Sequence, residues 1–425
     1  MKRIIIDKAV KIYCNIFKTK ETQEQRKFIE DLLFVFIATG IAKGLILIMN
    51  IVAGRLLGPT IYGEYTLILT IAMFLTIPAA LGIMGGITKT LAETEKYEKR
   101  KKIISTATNY YILTTLFLIL IYLFFNKEIL LITKTESNLT LLSIILFVFW
   151  SSTGLIESIL QGFREQKKWS YIQIISYMIS FFVFAYFVFS GRLNIMMMYV
   201  PLLITYFGFM ISSPLIIGKY YSIKIFDKAV FKDMFGYGFY VLITTIATTF
   251  LGNIDKIMIN HFMGAESVGI YQAYFFSSIM IIGVVTGVFV KVFFPTAVKL
   301  KDPSGMLKKL DKIAIIGFII TIIFVPILTR IIIFLYDYEF ILTTSLLFAL
   351  ATGASVFLVL YSALLSAQGK ESVKKTTIGL VAAFILNIPI NYFLIPIIGI
   401  NGAIIATTIS FLFLFIYIRI KIMKM

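Results

Sequence analysis

Five polar side chains recur at helical spacing within one apolar stretch near the middle of the chain. They are Thr245, Thr249, Asn253, Lys256 and Asn260. Steps of three and four residues place all five side chains on one face of an α-helix. A lysine near the middle of a bilayer costs about 2.5–3.5 kcal/mol, so it usually faces a bundle interior or a water-filled cavity. The stripe therefore predicts a polar, cationic lining.

A weaker copy of this stripe lies 206 residues earlier. Its members are Thr39, Lys43, Leu47, Asn50 and Gly54. One residue beyond each stripe, Arg55 corresponds to His261, the single histidine of the chain. Two such stripes predict one cationic cleft that suits an anionic ligand, because lysine is a usual partner of phosphate. The predicted substrate-binding residues are Lys43, Asn50, Arg55, Asn253, Lys256, Asn260 and His261. Alternatively, Arg55 and Lys256 extend to the outer surface, and His261 hydrogen-bonds at the interface.

Two acids lie within apolar stretches, Glu157 and Asp255, and both are predicted to be buried. Adjacent helical residues point about 100° apart, so Asp255 need not pair with Lys256 and can bond to a neighbouring helix. Each acid is predicted either to couple transport to a proton or sodium ion or to form a structural pair.

The stripes belong to a longer internal repeat. Its first elements are Gly58, Gly63 and Tyr65, which recur as Gly264, Gly269 and Tyr271. Its second elements are Gln161-Gly162 and Lys167-Lys168, which recur as Gln368-Gly369 and Lys374-Lys375. Offsets of 206 and 207 residues are half of the 425-residue chain. Two matching halves around a central site are typical of transporters.

Composition indicates a protein that crosses a membrane many times. Hydrophobic residues make up 59% of the chain and charged residues 15%, and the mean hydropathy is +0.93. One cysteine, Cys14, excludes an intramolecular disulfide and a thiolate metal cluster. One histidine excludes a multi-histidine centre, and no phosphate-binding G-x-x-x-x-G-K-[ST] loop occurs. No metal or cofactor is expected.

Twelve apolar stretches are long enough to cross a bilayer. They lie near 32–54, 65–87, 104–125, 138–160, 169–190, 194–217, 237–261, 267–290, 313–335, 341–366, 376–397 and 400–418. With the N-terminus inside, the inner segments collect 32 of the 40 Lys and Arg residues, as the positive-inside rule requires. Both termini are therefore predicted to be cytoplasmic. This bias explains the net charge of +18 without nucleic acid.

The predicted fold is an all-α polytopic membrane protein with two six-helix lobes. An even number of spans per half places the pseudo-twofold axis along the membrane normal. The predicted units are a basic, interfacial cytoplasmic segment at 1–31, an N-terminal lobe at 32–218, a cytoplasmic linker at 219–236 and a C-terminal lobe at 237–425.

Three sequence patterns carry a resemblance to a known family. They are Asn253–Gly264 with Val268–Tyr271, the first-half echo Gly54–Gly58 with Tyr62–Tyr65, and Asn387–Asn391 followed by Ile395, Pro396, Gly399, Gly402 and Ala403. With these patterns the chain resembles the Wzx-type oligosaccharide flippases, within the superfamily that includes the multidrug and toxic-compound extruders. The likeness extends over nearly the whole chain.

The resemblance implies a flippase that carries a polyprenyl-diphosphate-linked oligosaccharide from the cytoplasmic to the outer leaflet of the cell membrane. The head group is expected to cross a cationic cavity by alternating access, in the service of cell-surface polysaccharide or glycoconjugate synthesis. The lipid tail is expected to stay in the bilayer through a lateral opening. Membrane lipids, a proton or sodium gradient and a monomeric state complete the expectation.

Two other functions remain open. One is a cation-coupled multidrug exporter with the same fold, whose cavity should be richer in acids and aromatic residues than in lysines. The other is a membrane glycosyltransferase or polymerase that holds a divalent metal with Asp337 and Glu339, the short acidic pattern between the ninth and tenth spans.

Overall fold

The structure is a computed structural model that describes residue 7 and residues 23–80, 83–163, 165–287, 290 and 304–424. These residues form helices joined by short connections, with no strand among them. Most of the predicted segment 1–31, including Cys14, lies outside the described residues. The all-α prediction is confirmed.

The helices follow the predicted spans in order. Their bounds are Gln23–Ala80, Ile83–Ala92, Tyr97–Phe124, Asn126–Thr133, Ser137–Gly162, Gln166–Phe189, Met196–Ile217, Lys228–Met263, Ala265–Phe275, Ser304–Tyr336, Leu342–Ser366, Lys370–Ile398 and Ile400–Met423. A π-helical turn, Phe276–Met280, extends the eighth span. Eleven described helices are long and apolar enough to cross a membrane. The first of them contains the first predicted span and most of the second, which ends in the helix Ile83–Ala92. Divided in this way, they agree with the predicted twelve.

A glycine with positive φ separates the first two spans of each half. Gly58 has φ 74° and Gly264 has φ 87°, a conformation that glycine adopts without the steric penalty of a Cβ. Pro59 follows Gly58, where its fixed φ suits the first turn of a helix. Beyond this break the chain turns back, so that the Tyr62 hydroxyl donates to Asn50 Oδ1 at 3.0 Å. The repeated glycines therefore act as the turns between paired spans.

The buried apolar residues form four clusters. One contains residues of both lobes, among them Tyr62, Tyr271 and Tyr336. Two others lie within the C-terminal and N-terminal lobes respectively. The fourth joins the second span to the start of the seventh, where a Cβ on Gly86 would overlap the backbone of Met234. The lobes thus contact each other at both ends of the bundle.

We call the end that carries the connections at 93–102 and 218–227 the basic end, and the opposite end the far end. At the basic end the connection between the lobes lies along the third span. Ser105 Oγ donates to the carbonyl of Tyr220 at 3.0 Å, and Asn109 Nδ2 donates to the carbonyl of Ile223 at 3.0 Å. The helix of the seventh span begins at Lys228, so the predicted linker 219–236 is helical in its second half.

Candidate functional site

The lobes meet at the far end through their repeated glycines. A Cβ on Gly63 would overlap the carbonyl oxygen of Ala265, and a Cβ on Gly269 would overlap that of Pro59. At the offset of 206 residues, Gly63 matches Gly269 and Pro59 matches Ala265. The two contacts are therefore pseudo-symmetry mates, and each needs a residue without a side chain.

A second pair of contacts closes the same end. Gly54 lies against the ring of Tyr336, and the Tyr338 hydroxyl donates to the Gly54 carbonyl at 3.0 Å. In the other half, Asn260 Nδ2 donates to the carbonyl of Thr133 at 2.5 Å. Gly54 and Asn260 are equivalent members of the two stripes. Each stripe thus ends against a far-end connection of the opposite lobe.

The seventh-span stripe faces the N-terminal lobe. Asn253 Nδ2 lies 3.4 Å from Met73 Sδ of the second span. Lys256 Nζ donates to Asn253 Oδ1 at 2.9 Å and lies 4.8 Å from the ring centre of Phe275. With only 5% of its surface exposed, Lys256 does not extend to the outer surface. Its charge is held inside the bundle by an amide oxygen and an aromatic face.

Lys43 lies on the corresponding face of the first span. It precedes Gly54 by eleven residues, and at about 100° per residue the two side-chain directions differ by only about 20°. Lys43 therefore lies on the same face of the first span as Gly54, which contacts the C-terminal lobe. Unlike Lys256, its side chain is exposed.

Burial along both stripes increases from the basic end to the far end. In the seventh span Thr245 is exposed, Asn253 is half-buried and Asn260 is buried. In the first span Lys43 is exposed, whereas Asn50 is buried. The far halves of both stripes are therefore buried, whereas Lys43 and Thr245, nearer the basic end, are exposed.

Three other predicted site residues lie away from the enclosed part of the seam. Arg55 is exposed at the far end. His261 lines a far-end cavity of about 430 Å³, and its carbonyl accepts from Lys134 Nζ at 2.6 Å. Glu157 was predicted to be buried, and its side chain is exposed. The fourth span instead buries Leu155 and Ile159, each about 200° around the helix from Glu157.

Asp255 points away from the seam into the C-terminal lobe, where it accepts three hydrogen bonds. The donors are the Tyr271 hydroxyl at 2.8 Å, Asn391 Nδ2 at 2.8 Å and Thr407 Oγ1 at 2.5 Å. Only 1% of Asp255 is exposed. The prediction that it bonds to a neighbouring helix is confirmed, and it ties the seventh span to the eighth, eleventh and twelfth.

The polar groups around Asp255 are not fully satisfied. Asn391 Nδ2 also donates to Asn387 Oδ1 at 2.7 Å. Asn391 Oδ1 and Asn387 Nδ2 are buried without a hydrogen-bond partner. Unpaired buried polar atoms are costly and often mark a place where a ligand or water binds. Carboxylate, amide and hydroxyl oxygens together can hold a proton or a hard cation.

Among the described residues of the N-terminal lobe, no acid stands at the position equivalent to Asp255. The residue equivalent to Asp255 is Met49, which is buried. It lines a small cavity of about 20 Å³ with Tyr65, the equivalent of Tyr271. Since the acid occurs in one half only, the two lobes share a fold but differ in chemistry.

Sequence reasoning missed the partners of Asp255. Asn387 and Asn391 were recognised as a family pattern, although their spacing of four residues in an apolar span already places two amides on one helical face. Thr407 carried no comparable signal, because a threonine in an apolar helix often bonds its own backbone.

The acidic pattern Asp337-x-Glu339 lies on the far-end connection between the ninth and tenth spans, and both acids are exposed. The residues between and before them, Tyr338 and Tyr336, pack against Gly54. The described part of the chain contains no group of three or more His, Cys, Asp or Glu residues placed to hold a metal.

Comparison with known proteins agrees with the helical architecture. An uncharacterized membrane protein of Methanocaldococcus jannaschii is 26% identical over 282 residues, which are 61% of this chain and 54% of that protein. The chain therefore matches about half of that relative's length.

Two solved structures share the fold. An inward-facing MATE family multidrug resistance transporter of the MOP superfamily superposes with a TM-score of 0.62 at 12% identity, covering 92% of this chain and 98% of that one. The lipid II flippase MurJ in an inward closed conformation superposes with a TM-score of 0.64 at 18% identity, covering 92% and 87%. Residues 28–301 of the chain match the family described as polysaccharide biosynthesis protein. Because this match covers well over half of the chain, the protein belongs to the polysaccharide biosynthesis protein family, with the membrane fold of these two solved proteins.

Proposed function

We propose that this protein is a transporter, not an enzyme, and that it flips a polyprenyl-diphosphate-linked oligosaccharide across the cell membrane. The observation that supports the proposal is the polar stripe of the seventh span, which contacts the N-terminal lobe and encloses Lys256, together with its equivalent on the first span, where Lys43 is exposed. Two cations at different depths offer successive sites for the phosphates. A glycan diphosphate is too polar to cross a hydrocarbon layer of about 30 Å unaided.

The basic end faces the cytoplasm in this proposal, because it carries most of the Lys and Arg residues. Both termini are then cytoplasmic, and the protein is a multi-pass protein of the plasma or inner membrane. The substrate enters between the lobes from the cytoplasmic leaflet, where Lys43 is exposed. Lobes 32–218 and 237–425 then move relative to each other, as a monomer, until the far-end contacts separate.

Asp255 is proposed to couple this motion to a proton or sodium ion. Its carboxylate connects four spans of the C-terminal lobe, and it is adjacent in sequence to Lys256 at the seam. Loading or release of a cation at Asp255 changes the local charge next to the substrate-binding lysine. A buried acid within a membrane span is commonly used in this way by transporters.

Complementation of cells that lack the gene tests the proposal against the two alternatives. The wild-type chain should restore surface polysaccharide, and Lys43→Ala with Lys256→Ala should abolish it while membrane insertion stays normal. Lys224→Ala, at an exposed position between the lobes, is the matched control. Restored drug efflux without surface polysaccharide would favour a multidrug exporter. Sugar transfer by the purified protein that Asp337→Asn removes would favour a glycosyltransferase.

A further inference from the structure

A groove of about 370 Å³ is lined by residues of the seventh and eleventh spans. Its lining is Ile243, Lys374, Thr377, Ile378, Val381, Ala382 and Ile385. The Thr377 hydroxyl lies 2.7 Å from that of Thr244 and donates to the carbonyl of Val373 at 3.0 Å. Because this hydroxyl is already bonded, the groove presents an almost wholly apolar surface.

One charged residue lies among the lining residues of this groove, at one end. Lys374 occupies the basic end and is exposed. Ile385 marks the other end, eleven residues along the same helix, which is a distance of about 16 Å. Half of a hydrocarbon layer of about 30 Å is about 15 Å. The groove therefore spans one leaflet, from the headgroup region to the middle of the bilayer, with a cation where a lipid phosphate lies.

The N-terminal lobe carries an aromatic residue at the position equivalent to Ile378 of the groove. At the repeat offset of 207 residues, Ile378 matches Tyr171. The Tyr171 ring lies against Phe34, with 4.8 Å between the ring centres. The position of the N-terminal lobe that corresponds to Ile378 is therefore occupied by a ring that packs against the first span.

We propose that this groove binds the isoprenoid chain of the lipid-linked substrate in the cytoplasmic leaflet, with its phosphate against Lys374. The groove is a single channel, and a polyprenyl phosphate has one chain whereas a phospholipid has two. The inference rests on the proposed function, and it assigns a binding site to the lipid tail of the proposed substrate. It also assigns a role to the repeated Lys374, which the seam does not use.

Native mass spectrometry of the purified full-length protein with polyprenyl monophosphate tests this site. Ile378→Trp adds bulk in the groove, and Lys374→Ala removes the cation. Each should lower binding by about tenfold, the effect of losing about 1.4 kcal/mol. Tyr171→Trp and Lys167→Ala are the matched controls in the other lobe and should bind normally. Ile378 is 52% and Tyr171 55% exposed, so both positions accommodate the larger ring.

Three outcomes would overturn the proposal. Unchanged binding in Ile378→Trp and Lys374→Ala, with a wild type that binds, would remove the groove as the tail site and leave the proposed function intact. Equal displacement of polyprenyl phosphate by phosphatidylglycerol would make the groove an ordinary phospholipid site. A wild type that binds no polyprenyl phosphate would contradict both the groove and the proposed substrate.

Discussion

At the scale of single residues, two charged side chains that are adjacent in the seventh span face different parts of the protein. Lys256 faces the seam, where Asn253 and Phe275 hold its ammonium group. Asp255, about 100° around the helix, faces three donors inside the C-terminal lobe. No direct contact between the two side chains is needed for one to influence the other, because charges interact over longer distances in a poorly hydrated interior.

Replacing Asp255 with Asn should abolish the dependence of transport on an ion gradient. Asparagine keeps the shape and one acceptor oxygen but has no charge to hold a cation. Transport driven by the substrate's own gradient should persist. The measurement is the flipping rate in liposomes with and without a proton or sodium gradient.

Asn391→Ala should act in the same direction, since it removes both a donor to Asp255 and a buried oxygen. Met49→Leu is the control, because Met49 is the apolar counterpart of Asp255 in the other lobe. A gradient dependence that survives in Asp255→Asn would remove this acid from the coupling mechanism.

Sequence reasoning predicts the helix face of a residue correctly where polar residues recur at a regular spacing. The stripe was found because its steps match the helical period, and the structure confirms that Asn253 and Asn260 contact the opposite lobe. The prediction that Glu157 is buried is wrong. Hydropathy identifies a membrane span, but it does not show which side of the helix faces the neighbouring spans. Which side of a helix faces its neighbours depends on packing between spans that are distant in sequence.

At the scale of helices, the repeated glycines permit the closest approach between the lobes. Gly63→Ala or Gly269→Ala would place a Cβ on the backbone of the opposite lobe. Overpacking of this kind costs about 1–3 kcal/mol, which is a shift of about five- to 150-fold against the far-end-closed state. Gly252→Ala is the control, because open space surrounds that position.

The shift is measured by electron–electron resonance between spin labels on Lys127→Cys and Glu339→Cys, which lie on far-end connections of opposite lobes. Cys14 is first replaced by serine. Either glycine variant should lengthen the label distance, and Gly252→Ala should leave it unchanged. Identical distances in all four proteins would show that the glycine contacts do not control closure.

Asp227 stabilises the start of the seventh span. Its carboxylate accepts from the backbone N–H groups of Ala229 and Val230 at 3.0 and 3.2 Å and lies 3.3 Å from Lys102 Nζ. The bond from Val230, followed by the Lys102 contacts, lowers the pKa of Asp227. A lowered pKa means that this stabilisation is present above the ordinary aspartate pKa and is lost as pH falls through the folded-state value.

Asp227→Ala should therefore lower the melting temperature in detergent at neutral pH, and the difference from wild type should vanish at strongly acidic pH. Asp227→Asn keeps an acceptor for the backbone N–H groups and should lose less. A constant difference across the pH range would exclude the charge of Asp227 as the cause.

Hydropathy predicts where the membrane-spanning helices lie, but it predicts their first and last residues less accurately. The seventh span begins at Lys228, before the apolar stretch at 237–261, because Asp227 caps a polar extension that packs on the third span. The break at Gly58 carried a signal in advance, since a glycine before a proline in an apolar region indicates a turn.

At the scale of the whole molecule, the two lobes share a fold because of the internal repeat, and they differ in the residues that are proposed to function. The far end is closed by two equivalent sets of contacts, so that one motion opens both. The acid cluster and the apolar groove described above both lie in the C-terminal lobe, and Met49 stands at the N-terminal position equivalent to Asp255. A transporter with equal affinity for its substrate in both conformations needs an external bias, which the ion site proposed at Asp255 would supply.

The most direct measurement is the movement of labelled polyprenyl-diphosphate oligosaccharide between leaflets of liposomes that contain the purified protein. Labelled lipid in the leaflet at the basic end should become accessible to a membrane-impermeant reagent on the other side. Lys43→Ala with Lys256→Ala should move it at the rate of protein-free liposomes. No movement by the wild type, or equal movement by the double variant, would contradict the passage of the phosphates along the paired stripes.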